Sequence, residues 1–84
     1  MVMKQYVGKQ EFDDFIVQYY MIQQSDFFGV ELVKTRQEAI ISASEYFTEN
    51  PEDALLIANR LYKGKVTPLT LEDVIDDCLS GILN

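Results

Sequence analysis

The sequence contains no histidine and a single cysteine, Cys78. Histidine is the usual general base near neutral pH and the commonest metal ligand, so its absence argues against most acid–base and metal-dependent enzymes. One cysteine cannot form an internal disulfide, which agrees with a reducing compartment. Cys78 falls on an apolar helical stripe and follows Asp76 and Asp77, which would not lower its pKa. We therefore interpret it as a buried structural thiol rather than a nucleophile.

Basic residues are also scarce. The chain has seven lysines and arginines against fourteen acids, a net charge of −7. Phosphate backbones repel such a chain unless its bases cluster. Arg60, Lys63 and Lys65 form only a modest concentration of positive charge, so the sequence predicts no nucleic-acid partner.

Long apolar runs are missing as well. No run reaches the roughly 18 residues that a membrane-spanning helix needs, and the first ten residues hold no apolar signal region. We find no glycine-rich phosphate loop, nucleophile elbow or zinc-ligand spacing. These absences predict a cytoplasmic, non-enzymatic protein with no membrane contact, no cofactor, no metal and no small-molecule substrate.

What the sequence does contain is a globular composition, with 48% apolar and 25% charged residues in 84 positions. This length and composition predict a single small domain over residues 1–84. A chain of this size buries only about 60–65% of its unfolded surface, so the expected core is modest.

The most apolar stretch is Glu11 to Gln24. Its apolar residues recur at helical spacing, and reading it as a strand would place two adjacent aspartates within an apolar run. We therefore predict a first helix from about Lys9 to Gln24. The apolar stripe consists of Phe12, Phe15, Ile16, Tyr19, Tyr20 and Ile22.

Three further helices follow in the prediction. Thr35 and Glu38 have capping-box spacing, which favours a helix over 36–48. Asn50 before Pro51 favours a helix from Pro51 to Lys63. Thr70 is a candidate cap for a last helix whose apolar stripe runs from Leu71 through Ile82.

Residues 2–7 and 29–34 show partial alternation. Each could be a short strand or an extended connector, and two such strands could pair as a small ribbon. The overall expectation is a mostly α fold, a compact array of about four helices, with this two-stranded element left open.

Four apolar residues lie off the predicted helical stripes: Val17, Met21, Ile41 and Leu56. They could be covered on a second side of the core or stand singly exposed. The sharper hypothesis is that they form a contact face for a protein partner or a second copy in a homodimer. On this hypothesis the chain is a small acidic interaction module, a regulator or adaptor.

Acidic residues cluster on the last predicted helix, where Glu72, Asp73, Asp76 and Asp77 share one face. A solvated surface is the simplest interpretation. A cation site is disfavoured because no histidine or calcium-loop pattern accompanies the acids. A second hypothesis is that the acids mimic a nucleic-acid backbone and block a basic groove on another protein.

Overall fold

The computed structural model describes the backbone of residues 2–83 and the side chains of residues 2–77 and 79. Within that range the chain forms a run of strands followed by helices. In chain order the elements are β1 (Val2–Glu11), β2 (Ile16–Gln24), β3 (Phe27–Arg36), β4 (Ala39–Thr48), α1 (Pro51–Lys63), a 3₁₀ turn (Pro68–Thr70) and α2 (Leu71–Leu83).

The expectation of a mostly α, four-helix array was wrong. The strands form one antiparallel sheet in the order β1-β2-β3-β4, so each strand pairs with its neighbour in sequence. The helices supply the buried residues Ile57, Leu61 and Ile75 to the same core as Tyr19 and Leu32 of the sheet. The fold is therefore a sheet with helices on one face and an open face on the other.

The predicted first helix over Lys9 to Gln24 is a β-hairpin. The two aspartates that broke the alternation lie in the turn between β1 and β2, where a break is expected. Within β2 the side chains alternate: Val17 and Tyr19 face the helices, whereas Tyr20 and Ile22 lie on the other face. Apolar residues on both faces of a strand produced a pattern that resembled a helical stripe.

The predicted second helix over 36–48 is strand β4. Thr35 lies in β3 and Glu38 in the turn before β4, so the capping-box spacing is coincidental. The segment holds the β-branched and aromatic residues that suit a pleated strand. Adjacent Ile40 and Ile41 therefore project to opposite faces of the sheet.

Residues 2–7 and 29–34 do lie in strands, β1 and β3. They do not pair with each other as a ribbon, because β2 lies between them. Gly29 allows β3 to approach β4 closely: a Cβ atom there would lie 1.9 Å from the Glu45 carbonyl oxygen. The tight turns on either side of β3 are made by Ser25 and Gln37, both at φ 54°.

The two C-terminal helices agree with the prediction. The Asn50 side chain accepts a 2.9 Å hydrogen bond from the Glu52 amide and caps α1, with Pro51 at the first helical position. The last predicted helix is α2, but its candidate cap, Thr70, belongs to the 3₁₀ turn, and the Thr70 hydroxyl donates a 3.4 Å hydrogen bond to the Thr67 carbonyl. The prediction that Cys78 is a buried thiol lies outside the described side chains.

Candidate functional site

The four residues of the predicted contact face are not brought together by the fold. Val17 is 0% exposed in the core, and Met21 is half-buried on the same side of β2. Ile41 on β4 is 57% exposed, and Leu56 on the outer side of α1 is 45% exposed. Val17 therefore has no surface to offer a partner, whereas Ile41 and Leu56 do.

The acidic residues of α2 lie on the surface of the protein. Glu72, Asp73, Asp76 and Asp77 are all exposed, and the first two lie in the first helical turn, where they complement the helix dipole. Among the described residues, no group of three or more potential ligands could hold a metal ion.

Strand β4 forms one edge of the sheet. Its inner side pairs with β3, and no strand within residues 2–83 pairs with its outer side. An unpaired strand edge presents backbone N–H and C=O groups that can bind another strand. The first six residues of β4, Ala39 to Ser44, carry no charge, and Ile40 and Ile41 in this segment are both well exposed.

Strand β1 forms the opposite edge and has a different character. It carries Lys4 and Lys9, and a bulge at Val7 interrupts its pairing with β2 between Tyr6 and Gly8. Lysines and bulges are the features by which natural sheets discourage pairing at an edge. The two edges of this sheet are therefore unequal, and β4 is the less protected one.

A groove runs between β4 and the 3₁₀ turn on the helical side of the sheet. Its volume is about 440 Å³. Leu69, which is 93% exposed, lines the groove, and its neighbour Pro68 is buried. We call this feature the β4 groove; it is lined by Lys34, Ile41, Ser42, Ala43, Thr67, Pro68 and Leu69.

Lysine provides the charge in the β4 groove. The Lys34 ammonium lies 4.3 Å from the centroid of the Phe15 ring, a distance that allows a cation–π contact. This contact holds the Lys34 ammonium over the Phe15 ring. A ligand in the groove would therefore contact the apolar side chains of Ile41 and Leu69.

An ion pair lies on the open face of the sheet. Lys4 Nζ lies 2.6 Å from Glu31 Oε1, and Tyr6 and Tyr20 pack edge to face beside it. Hydrogen bonding to Glu31 raises the pKa of Lys4 above its ordinary value. Because Lys4 is about half exposed, solvent screening keeps the contribution of this pair small.

Two long-range hydrogen bonds fix the end of α1 and the following connector on the sheet. The Tyr19 hydroxyl donates to the Val66 carbonyl at 2.7 Å, and the Gln10 amide donates to the Tyr62 carbonyl at 2.9 Å. Burial raises the pKa of Tyr19 to about 12. These contacts hold the connector that leads to Pro68 and thereby position one wall of the β4 groove.

Sequence reasoning missed Leu69 and misassigned Ile40. Leu69 falls between the third and the last predicted helix, and a single apolar residue between two helices carries no strong signal. Ile40 lies in the segment 36–48, which was predicted as a helix, and it is well exposed on strand β4. The adjacent pair Ile40 and Ile41 would have indicated one isoleucine on each face if the segment had been interpreted as a strand.

Residues 1–81 match the family described as "Family of unknown function (DUF6514)". The chain belongs to this family. No curated protein and no solved structure is significantly similar to it. Membership of this family therefore assigns no activity to the chain. No described helix is long and apolar enough to cross a membrane.

Proposed function

We propose that this protein is a non-enzymatic protein-interaction module that acts in the cytoplasm and binds its partner at the β4 groove. The observation that carries the proposal is the position of Ile41 and Leu69, both largely exposed, beside an unpaired and uncharged strand edge. Large apolar side chains concentrated at one exposed feature are typical of interaction sites.

The mode of binding that fits this geometry is strand addition. The outer edge of β4 would supply backbone hydrogen bonds to an extended segment of the partner, and the groove would accept one of its side chains. Each apolar side chain that becomes fully buried contributes roughly 1.5–3 kcal/mol. Ile41 and Leu69 together would then be the main energetic contributors, with the backbone bonds setting orientation.

The proposal assigns no catalytic step to the chain. Histidine is absent from the sequence. The Tyr19 hydroxyl, with its pKa raised to about 12, stays protonated at neutral pH and is used in a structural hydrogen bond. The cytoplasmic location in the proposal is supported by the single cysteine, which leaves the chain without an internal disulfide.

Site-specific photo-crosslinking in the source cells tests the proposal. A photoreactive amino acid would replace Ile41 in the β4 groove or, as a control, Met3, which is 63% exposed on the opposite edge strand. We expect a defined crosslinked product from position 41, identified by mass spectrometry, and its loss when Leu69→Lys is added. Equal yields from both positions would contradict a binding site at the groove.

A second candidate is the acidic mimic of a nucleic-acid backbone. The observation in its favour is that all four α2 acids are exposed on a chain of net charge −7. The protein should then compete with duplex DNA for basic nucleic-acid-binding proteins, more weakly as salt increases. Asp73→Asn, Asp76→Asn and Asp77→Asn combined should abolish the competition. Competition that salt does not affect would argue against mimicry.

A further inference from the structure

We infer that the β4 groove is occupied by the β4 strand of a second copy of this chain, so that the two sheets join edge to edge. The inference rests on the proposed function, since it names the partner of the same site. A strand edge is a suitable partner for itself, because antiparallel pairing of identical strands satisfies the donors and acceptors of both.

The distribution of charge along the chain favours β4 as the place where two copies meet. Two chains of net charge −7 repel each other over most of their surfaces. The segment Ala39 to Ser44 carries no charge, and the acids that flank it are Glu38 and Glu45. Pairing along this segment therefore joins the two copies through an uncharged stretch of strand.

The inequality of the two edges is the second argument. Lys4, Lys9 and the bulge at Val7 mark β1 as an edge that resists pairing. The first six residues of β4 contain no lysine, proline or glycine, and the bulge that β4 does have lies beyond them, next to Gly29 of β3. If the protein were a monomer, both edge strands would be exposed to solvent, and both would need such protection against pairing.

Symmetry then restricts how two copies pair. A two-fold axis between identical antiparallel strands runs perpendicular to the sheet, so the helices of both copies lie on the same face. Paired residues project to the same face. If Ser42 lies at the axis, Ile41 of each copy lies opposite Ala43 of the other, and Ala43 lines the β4 groove beside Leu69.

This register fits the groove. Ile41 of the second copy would enter the groove over the small side chain of Ala43, and the same contact would be made reciprocally. Glu45 would lie opposite Ala39, next in sequence to Glu38 of the other copy, so one such pair of acids flanks the paired segment at each end. The two Glu45 residues would be six strand positions apart, roughly 20 Å. That separation exceeds the screening length of about 8 Å at physiological salt.

The first experiment measures the solution mass of the purified full chain by sedimentation from about 10 µM to about 1 mM, a range that covers weak self-association. We expect twice the chain mass of 9.7 kDa at high concentration. Ile41→Lys should weaken self-association about tenfold or more, because two lysines would then face each other diagonally across the axis. Met3→Lys adds the same charge at the other edge and should have no effect.

A second experiment does not depend on that variant staying folded. In a Cys78→Ser background, Ser42→Cys would place two thiols on directly opposed positions, whose Cα atoms are about 4.5–5.5 Å apart in an antiparallel pair. That distance permits a disulfide. Ser44→Cys is the control, because its two copies would be about 13 Å apart or more. Ser42→Cys should therefore crosslink under mild oxidation and Ser44→Cys should not.

The outcomes separate this inference from the proposed function. A chain that remains monomeric throughout the range, or one in which Ser44→Cys crosslinks as readily as Ser42→Cys, overturns the paired β4 strands. If the photoreactive group at position 41 nevertheless captures a different protein, the interaction module stands with another partner. If position 41 captures nothing and the chain is monomeric, both proposals fail.

Discussion

The hydroxyl of Tyr19, at the centre of β2, donates a 2.7 Å hydrogen bond to the backbone carbonyl of Val66, 47 residues away in sequence. The Tyr19 ring also packs edge to face against Tyr62 at the end of α1, with 5.7 Å between the ring centroids. One buried side chain thus ties the sheet, the end of α1 and the connector that leads to the β4 groove.

Tyr19→Phe removes this hydrogen bond and keeps the ring. We expect a loss of about 1 kcal/mol in the free energy of unfolding, because a net hydrogen bond contributes about that much and the Val66 carbonyl loses its partner. Urea denaturation followed by circular dichroism measures the change. Tyr6→Phe, on a half-exposed ring, is the matched control and should change stability by less than about 0.5 kcal/mol. Equal losses in the two variants would show that the Tyr19 hydroxyl contributes nothing specific.

The same hydroxyl predicts a dependence of stability on alkaline pH. The pKa of Tyr19 is about 12 in the folded protein and 10.0 ordinarily, so the unfolded chain releases this proton first as the pH rises. The folded state then binds more protons, and stability falls between about pH 10 and pH 12. Denaturation at a series of pH values should show this fall, and Tyr19→Phe should reduce its slope. An unchanged slope in the variant would place the alkaline transition elsewhere, with Lys4 as the next candidate.

The C-terminal helices were predictable because their signals are local. Asn50 and Pro51 identify a helix start by the chemistry of the cap itself, and the Asn50 side chain makes the expected bond to the Glu52 amide. Neither signal depends on what packs against the helix. The α2 stripe beginning at Leu71 was equally clear, since the acids and the apolar residues separate onto different faces.

The strands were not predictable in the same way, because their pattern depends on contacts far away in sequence. Ile22 lies on the open face, yet it is almost fully buried, opposite Gly29 and Lys4 of the neighbouring strands. Val17 is buried on the other face by the helices. With apolar residues on both faces, β2 loses the alternation that identifies a strand, and helical spacing fits it by coincidence.

The candidate site was also predictable only in part. Ile41 and Leu56 were identified as spare apolar residues and are exposed. The β4 groove could not be identified, because it requires the edge position of β4 and the approach of the turn at Pro68. Both depend on strand order, which the sequence pattern left unresolved.

Gly29→Ala tests the close approach of β3 and β4. The added Cβ would lie 1.9 Å from the Glu45 carbonyl oxygen, a backbone atom that cannot move without disturbing the strand pairing. We expect a loss of about 3 kcal/mol or more, or failure to fold. Gly64→Ala is the control: its Cβ would lie 3.1 Å from the Arg60 carbonyl at an ordinary φ of −85°, and we expect a change below about 1 kcal/mol in urea denaturation. A tolerated Gly29→Ala would mean that β3 and β4 are farther apart than the structure shows.

Val17→Ala and Leu56→Ala together test which residues of the predicted contact face belong to the core and which lie on the surface. Val17 is fully buried against the helices, so its truncation leaves a cavity and should cost roughly 2 kcal/mol. Leu56→Ala removes a larger side chain from a position that is 45% exposed, and it should cost less than about 0.5 kcal/mol. Thermal and urea unfolding of both variants measure the difference. Because the smaller truncation is expected to have the larger effect, side-chain size alone cannot produce this order. If Leu56→Ala were the more destabilising variant, α1 would present a different face to the sheet, and Val17 would again be available as a contact residue.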